Sequence, residues 1–382
     1  MSTVPAVNDD HVKVLLAQHW EGYELERLIK PSQNYTYAGT DRSGNKIIIR
    51  AVPPVKATGD SQLQRLKPEV AILNYIRQAD PELRTTSYIK KTTAAADSDA
   101  DPAAYIAVGA KDEPEANMCL LVSAYAPGRA PDYMEFEWMA NKDHVYQVGK
   151  WLGRYHNVMR SIPNDIRESC RDWQELHDNV MAGVHVDPKD WELAKDPDYF
   201  GVTHGDINPS NYFVIEDEDA PEVTAEATGK SYKRVKDIFA FDWDQVQLAW
   251  YMYDVAQWLH GALMTQVAGV PVPGTPDSGI HNIEEFIDWT VEGYESETVE
   301  KGGQRRVDRE HLARMIDLRQ QFYWRFAERE LANPSLPEGM HNFCKYIQSY
   351  ADKVRSLKEH RAEHEERAAG KPKKEAHDDE DE

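Results

Sequence analysis

Apolar residues occur in short alternating runs over about the first 120 residues and at helical spacing over most of the rest. His11 to Trp20 predicts a helix, with Asp9 or Asp10 as its N-cap. Three strand-like runs come next, Leu25–Lys30, Tyr35–Thr40 and Lys46–Val52, the last two joined by a Ser43-Gly44-Asn45 turn. Leu63, Leu66, Val70, Leu73 and Ile76 recur at three and four, which predicts an amphipathic helix over Ser61–Arg77. Ser87–Lys90, Tyr105–Val108 and Met118–Val122 read as further strands, with a polar loop, Ala94–Ala103, between the first two. After Pro127-Gly128 the period changes. Val145, Val148, Leu152 and Tyr155 make a helical stripe, and most of the remaining chain is helical in pattern. Glu216–Lys236 is a charged insertion between strand-like Val214–Ile215 and Ile238–Phe241. From Ala351 a charged helix gives way to KPKKEAHDDEDE, which is expected to be disordered.

A chain of 382 residues that is 41% hydrophobic and 10% aromatic has the composition of a globular protein. Its net charge of −22 is spread over the body, since the last twelve residues contribute only three of those charges. Long-range repulsion therefore opposes a nucleic acid or an anionic membrane surface as partner, and it mildly favours a cationic small substrate. Cys119, Cys170 and Cys344 are odd in number and have no paired spacing, so neither a disulfide framework nor a cysteine zinc site is expected. There is no signal-like N-terminus and no apolar run long enough to cross a bilayer, which makes the cytoplasm the expected location.

The densest chemistry lies in His204-Gly205-Asp206-Ile207-Asn208-Pro209-Ser210-Asn211 and, after the insertion, Phe241-Asp242-Trp243-Asp244. Phosphoryl transfer to an alcohol needs an acceptor for the hydroxyl proton and oxygen ligands for Mg²⁺. Asp206 suits the first task; Asn211 and Asp242 suit the second. The spacing is that of the protein-kinase H-R-D-x-x-x-x-N loop with Gly205 in place of Arg. Together these residues resemble the aminoglycoside phosphotransferase and choline kinase-like family. Tyr253-Asp254-Val255-Ala256 is similar to that family's helix start, whose aspartate braces the catalytic loop. Leu152-Gly153-Arg154-Tyr155-His156 is similar to its "LGxLH" helix.

The resemblance, over about residues 22 to 330, implies a two-lobed protein kinase-like α+β fold. An antiparallel sheet lobe over 1–124 would bind nucleotide, and a larger helical lobe over 125–370 would carry the catalytic loop, ahead of a disordered acidic tail at 371–382. It implies ATP and Mg²⁺. Arg50 would be the phosphate-contacting cation, with Glu69 as its partner and Ser123-Ala124-Tyr125 as the adenine hinge. Ser32 would sit in the phosphate loop. Two departures stand out: Arg50 replaces the usual Lys, and Lys30 to Tyr35 contains no glycine. His204 and His156 read as structural hydrogen-bonders. The implied activity is transfer of the γ-phosphate of ATP to a hydroxyl of a small molecule, with a cationic amino alcohol or an aminoglycoside-like compound as the favoured class.

The post-catalytic aromatics, Tyr253 and Tyr323 among them, read mainly as core, with a few available as a wall for an ammonium group. The alternatives are an atypical protein kinase and a pseudokinase scaffold without catalysis. The absence of an activation segment between Asp242 and Asp254 opposes the first, and the intact Asp206, Asn211 and Asp242 set opposes the second. His360-Arg361-Ala362-Glu363-His364 fits a zinc-peptidase pattern but lies in a charged run without apolar walls. Gly229-Lys230-Ser231 lacks the first glycine of a P-loop.

Overall fold

The computed structural model describes residues 7–31, 34–53, 62–92, 104–107, 118–132, 137–175, 184–224, 231–268, 283–299, 306–334 and 336–350. Ser32, residues 225–230 and everything beyond 350, including the zinc-peptidase-like run and the acidic tail, lie outside them.

Five strands form one antiparallel sheet in the order β1-β2-β3-β5-β4: β1 Glu24–Pro31, β2 Tyr35–Thr40, β3 Lys46–Val52, β4 Ala104–Ala107 and β5 Met118–Ala124. The predicted β2–β3 turn forms around Asp41, whose carboxylate accepts from the backbone N–H groups of Ser43 and Asn45, both at 2.8 Å. Helix α1, Asp9–His19, lays Val12, Leu15, Leu16 and Trp20 on one face of the sheet, against Tyr37, Ile47, Ile49, Leu120 and Val122. Its N-cap is Asn8 and not Asp9 or Asp10, because the Asn8 side chain accepts from Asp10 N–H and His11 N–H. The two acids instead occupy the first turn, where they complement the helix dipole.

Because side chains alternate across a strand, Arg50 of β3 lies on the opposite face from Ile49 and Ala51. Helix α2, Gln62–Ala79, covers that second face with Leu66, Val70, Leu73 and Ile76, and the cluster continues unbroken into the helical half. The expected strand Ser87–Lys90 is reduced to two contacts on β5. Tyr88 bridges Ser123, and Ile89 N–H donates to the Val122 carbonyl at 2.7 Å. The chain just before them is drawn to the other half: Thr85 Oγ1 donates to the Ala240 carbonyl at 3.0 Å, and Trp151 Nε1 to that of Arg84 at 3.0 Å. A ladder cannot extend between two such anchors.

The helical half opens on a single turn, α3 (Glu137–Ala140), and the long α4 (Lys142–Met159), which carries the predicted stripe. Two short helices, α5 (Asn164–Glu168) and α6 (Pro188–Leu193), lead towards the loop at 204–211. Helix α7, Tyr251–Ala268, comes after it, then α8 (Ile283–Thr298) and α9 (Arg309–Leu331), the last packed on α7. Helix α4 crosses α8 at backbone distance. A Cβ on Gly149 or Gly153 would fall 2.0 Å from the Thr290 carbonyl or 2.4 Å from that of Tyr294. Gly153 of the Leu-Gly-x-x-His sequence is thus required by helix packing.

Two small sheets frame the loop at 204–211. One pairs β8 (Tyr212–Glu216) with β11 (Val235–Ala240); the other orders β6 (Arg171–Asp172), β12 (Gln247–Trp250) and β7 (Phe200–Thr203). Within the charged insertion, β9 (Val223–Thr224) and β10 (Ser231–Tyr232) form a short ladder. Helix α7 begins directly after β12. Trp243, Trp250, Tyr251, Tyr253, Trp258 and Tyr294 are all buried in this half, as core. No helix among the described residues is long and apolar enough to cross a membrane.

Candidate active site

The loop between β7 and β8 is fixed from beneath by one buried carboxylate. Asp254, on the first turn of α7, accepts from His204 N–H at 2.8 Å and Gly205 N–H at 2.9 Å, and it meets His156 Nε2 of α4 at 3.2 Å. Burial would raise its pKa, but the His156 hydrogen bond and the surrounding donors hold it below the ordinary carboxylate value. It is therefore an ionised brace. Gly205 has φ +81°, and a Cβ there would fall 2.2 Å from the Gln245 carbonyl. The loop runs so close to the β12 approach that Arg, the residue of the protein-kinase sequence, has no place at 205.

Above the brace, Asp206 is held by two amides. Asn211 Nδ2 donates to its Oδ2 at 2.9 Å and to its carbonyl at 2.8 Å, and Gln257 Nε2 of α7 donates to its Oδ1 at 3.0 Å. Burial lifts the Asp206 pKa, while Arg319 of α9 and His204 pull against the rise. His204 is structural, as expected: its Nε2 contacts the Phe241 carbonyl at 3.2 Å and its ring packs on Trp243 at 4.6 Å. This ties the loop to the turn bearing Asp242.

Asp242 sits at φ +65°, the only described non-glycine residue with positive φ. Such strain persists where surrounding structure enforces it. Burial and the neighbouring Asp244 carboxylate raise its pKa to about 6, with Arg50 opposing. On β3, Arg50 Nη2 donates to Glu69 at 2.6 Å, and Tyr88 donates its hydroxyl to the same carboxylate at 2.5 Å. Burial works against the Arg50 charge, but Glu69 more than restores it. Arg50 Nε is buried and has no hydrogen-bond partner.

Asp242 interacts electrostatically with Arg50, Glu69 and Asp206, and Asn211 is bonded to Asp206, so the structure brings these five residues together. Ser123 lies on the same sheet face as Arg50, since Ile48 pairs with Ser123 and Arg50 with Leu121. Tyr125 is 47% exposed, with its N–H donated to the Lys46 carbonyl at 3.2 Å.

The donor chemistry suits a hard divalent cation. The two bonds made by Asn211 Nδ2 fix its amide orientation and turn Oδ1 away from Asp206. Among the described residues nothing donates a hydrogen bond to the Asp242 side chain, and no cluster of three or more His, Cys, Asp or Glu is placed to hold a metal. One amide oxygen and one carboxylate is a sparse set, of the kind Mg²⁺ uses when water and phosphate oxygens complete its shell.

Sequence reasoning misses Gln257, Arg319 and Tyr88. Gln257 falls one turn after Asp254 and so shares its face. Arg319 carries a faint signal: it stands on the inward-facing stripe Leu312, Met315, Phe322, where an apolar residue belongs.

The same burial makes the protein acid-sensitive. It holds His144 down to about 4 and His260 to about 3, and it depresses His156 despite Asp254. Unfolded histidines titrate near 6.5. Between there and the folded values the unfolded chain binds protons that the native chain does not, so stability falls as pH falls. The slope is about 1.4 kcal/mol per pH unit for each histidine. Urea unfolding midpoints should drop steeply from pH 6.5 toward 4.5; a flat profile would contradict this burial.

No protein-family model matches the chain, and no curated protein does. Solved structures do. An amicoumacin kinase in complex with AMP-PNP, Ca²⁺ and Ami aligns at TM-score 0.60 and 16% identity over 91% of this chain and 94% of that one. A Ralstonia eutropha protein assigned as an aminoglycoside phosphotransferase aligns at 0.53 and 12%, over 91% and 96%. A choline kinase from Cryptosporidium parvum aligns at 0.52 and 9%, over 92% and 97%. The fold expected from the residue pattern at 204–244 is thus the fold of the chain: the two-lobed, protein kinase-like α+β fold of aminoglycoside phosphotransferases and choline kinases.

Proposed function

We propose that the chain is an ATP-dependent phosphotransferase that moves the γ-phosphate to a hydroxyl of a small molecule, in the class of amino alcohols or aminoglycoside-like compounds. The carrying observation is the clamped Asp206: a carboxylate gripped by Asn211 and Gln257 that, like Arg50, interacts electrostatically with Asp242. Asp206 orients the acceptor hydroxyl and takes its proton as the oxygen attacks the γ-phosphorus. The new O–P bond forms as the bond to the ADP oxygen breaks. Asn211 and Asp242 would hold Mg²⁺, which supplies neutralising charge at the phosphates. Arg50, kept charged and rigid by Glu69, offers its unpartnered Nε edge to phosphate oxygens. Residues 123–125 would receive the adenine and Ser32 a phosphate, in a nucleotide-binding lobe over 1–124 set against a catalytic lobe over 125–370.

The neighbour solved with AMP-PNP and Ca²⁺ supports a nucleotide and a divalent cation in this fold. Asp242 leads within a few residues into β12 and α7, leaving no ledge for a peptide substrate, which argues against a protein kinase. Calorimetric titration with ATP tests the nucleotide half: binding should be measurable and should tighten with Mg²⁺. No heat in either condition would favour a scaffold without catalysis.

A further inference from the structure

The aromatic residues available as a wall for a substrate ammonium group already hold a cation of the protein's own. Arg319 is only 6% exposed. Its guanidinium lies over the rings of Tyr253, Phe322 and Tyr323, at 5.1, 4.8 and 4.8 Å. Nη1 donates to the Tyr253 hydroxyl at 2.9 Å, and Nη2 reaches that of Tyr323 at 3.5 Å. Both partners are hydroxyls. Asp206 acts on this buried charge through space but forms no ion pair with it, and the Arg319 Nε has no hydrogen-bond partner.

Two further unfilled groups adjoin it. Gln257, one turn after Tyr253 on α7, spends its Nε2 on Asp206 and leaves its buried Oε1 without a donor. His260 stacks on Tyr323 with ring centroids 4.6 Å apart, and its buried Nε2 has no partner. Buried polar groups are almost always paired, so three unpaired ones in a patch joined to Asp206 call for a ligand. The inventory specifies it. Arg319 presents an Nε and Nη2 edge, the planar fork that matches a carboxylate. Gln257 Oε1 calls for a donor such as a hydroxyl or an ammonium group.

We propose that Arg319 is the anchor for a carboxylate on the phosphate acceptor, and that Gln257 takes a neighbouring donor, so that the acceptor is a hydroxy acid or hydroxy amino acid. This rests on the phosphotransferase reading and narrows its acceptor class: a simple cation of the choline type would leave the Arg319 Nε edge unfilled.

The test uses the full-length protein, γ-labelled ATP, Mg²⁺ and a small-molecule cell extract in two portions. One is mock-treated; in the other, carbodiimide and methylamine have converted carboxylates to amides. Label should enter small molecules from the mock-treated portion and be lost from the amidated one. With Arg319→Gln, about 10- to 100-fold more untreated extract should be needed for half-saturation, with the ATP requirement unchanged. Equal labelling from both portions overturns the carboxylate site even if the variant fails to fold, as does an unchanged extract requirement in a folded variant. No label from the mock-treated portion overturns the phosphotransferase reading itself, and this inference with it.

Discussion

Asp206→Asn should lower turnover by about 10²- to 10⁴-fold while leaving ATP affinity nearly unchanged. The substitution removes the proton acceptor and little else. Asn is isosteric, and its oxygen can keep the Asn211 Nδ2 bond of 2.9 Å. Its new amide hydrogens would then face Gln257, whose Oε1 is unpartnered, so a flip of that side chain satisfies them. The proposed cation ligands and Arg50 stay in place. Steady-state kinetics paired with calorimetric ATP binding separates the two effects. Full turnover in the variant would remove Asp206 from the chemistry; lost ATP binding would make it part of the nucleotide site.

Asp254→Ala should be the more damaging change to the protein as a whole. It strands the N–H groups of His204 and Gly205 and the Nε2 of His156, all in a fully buried setting. Uncompensated buried donors cost ~1–3 kcal/mol each, so about 3–5 kcal/mol of stability should go. The molecules that remain folded should also be poor catalysts, because the loop holding Asp206 is no longer pinned. Denaturant unfolding measures the first loss, and turnover per folded molecule the second. A destabilisation under ~1 kcal/mol would show that the brace is dispensable.

How legible each part of the molecule is depends on how its role is encoded. Asp206, Asn211 and Asp242 can be read because the proposed phosphoryl transfer would require one loop and the end of the next strand to present fixed residue types at short spacing. Asp254 is visible for the same reason. Gln257 acts on Asp206 across 51 residues of chain, and Arg319 on Tyr253 of α7 across 66. Arg319 belongs to no motif, and only its place on an inward-facing stripe gives it away. The sheet lobe is legible from alternation and turn residues. Strands β7 and β12 are not, since Phe-Gly-Val-Thr and Gln-Leu-Ala-Trp are four residues long and mostly buried, so neither alternates. The expected strand at Ser87–Lys90 fails because tertiary anchors on both halves of the molecule override its local preference. The aromatic run after the catalytic loop reads as core with a spare face for a substrate cation; the residues nearest the site carry Arg319 instead.

Asp206-dependent transfer of the γ-phosphate to a small molecule can be followed with labelled ATP. Wild-type protein and Asp206→Asn are each incubated with γ-labelled ATP, Mg²⁺ and a whole-cell extract, which is then divided into small molecules and macromolecules. Label in a small molecule with the wild type, and none with the variant, is the predicted result. Variant-sensitive label in the protein fraction would contradict it and identify a protein kinase.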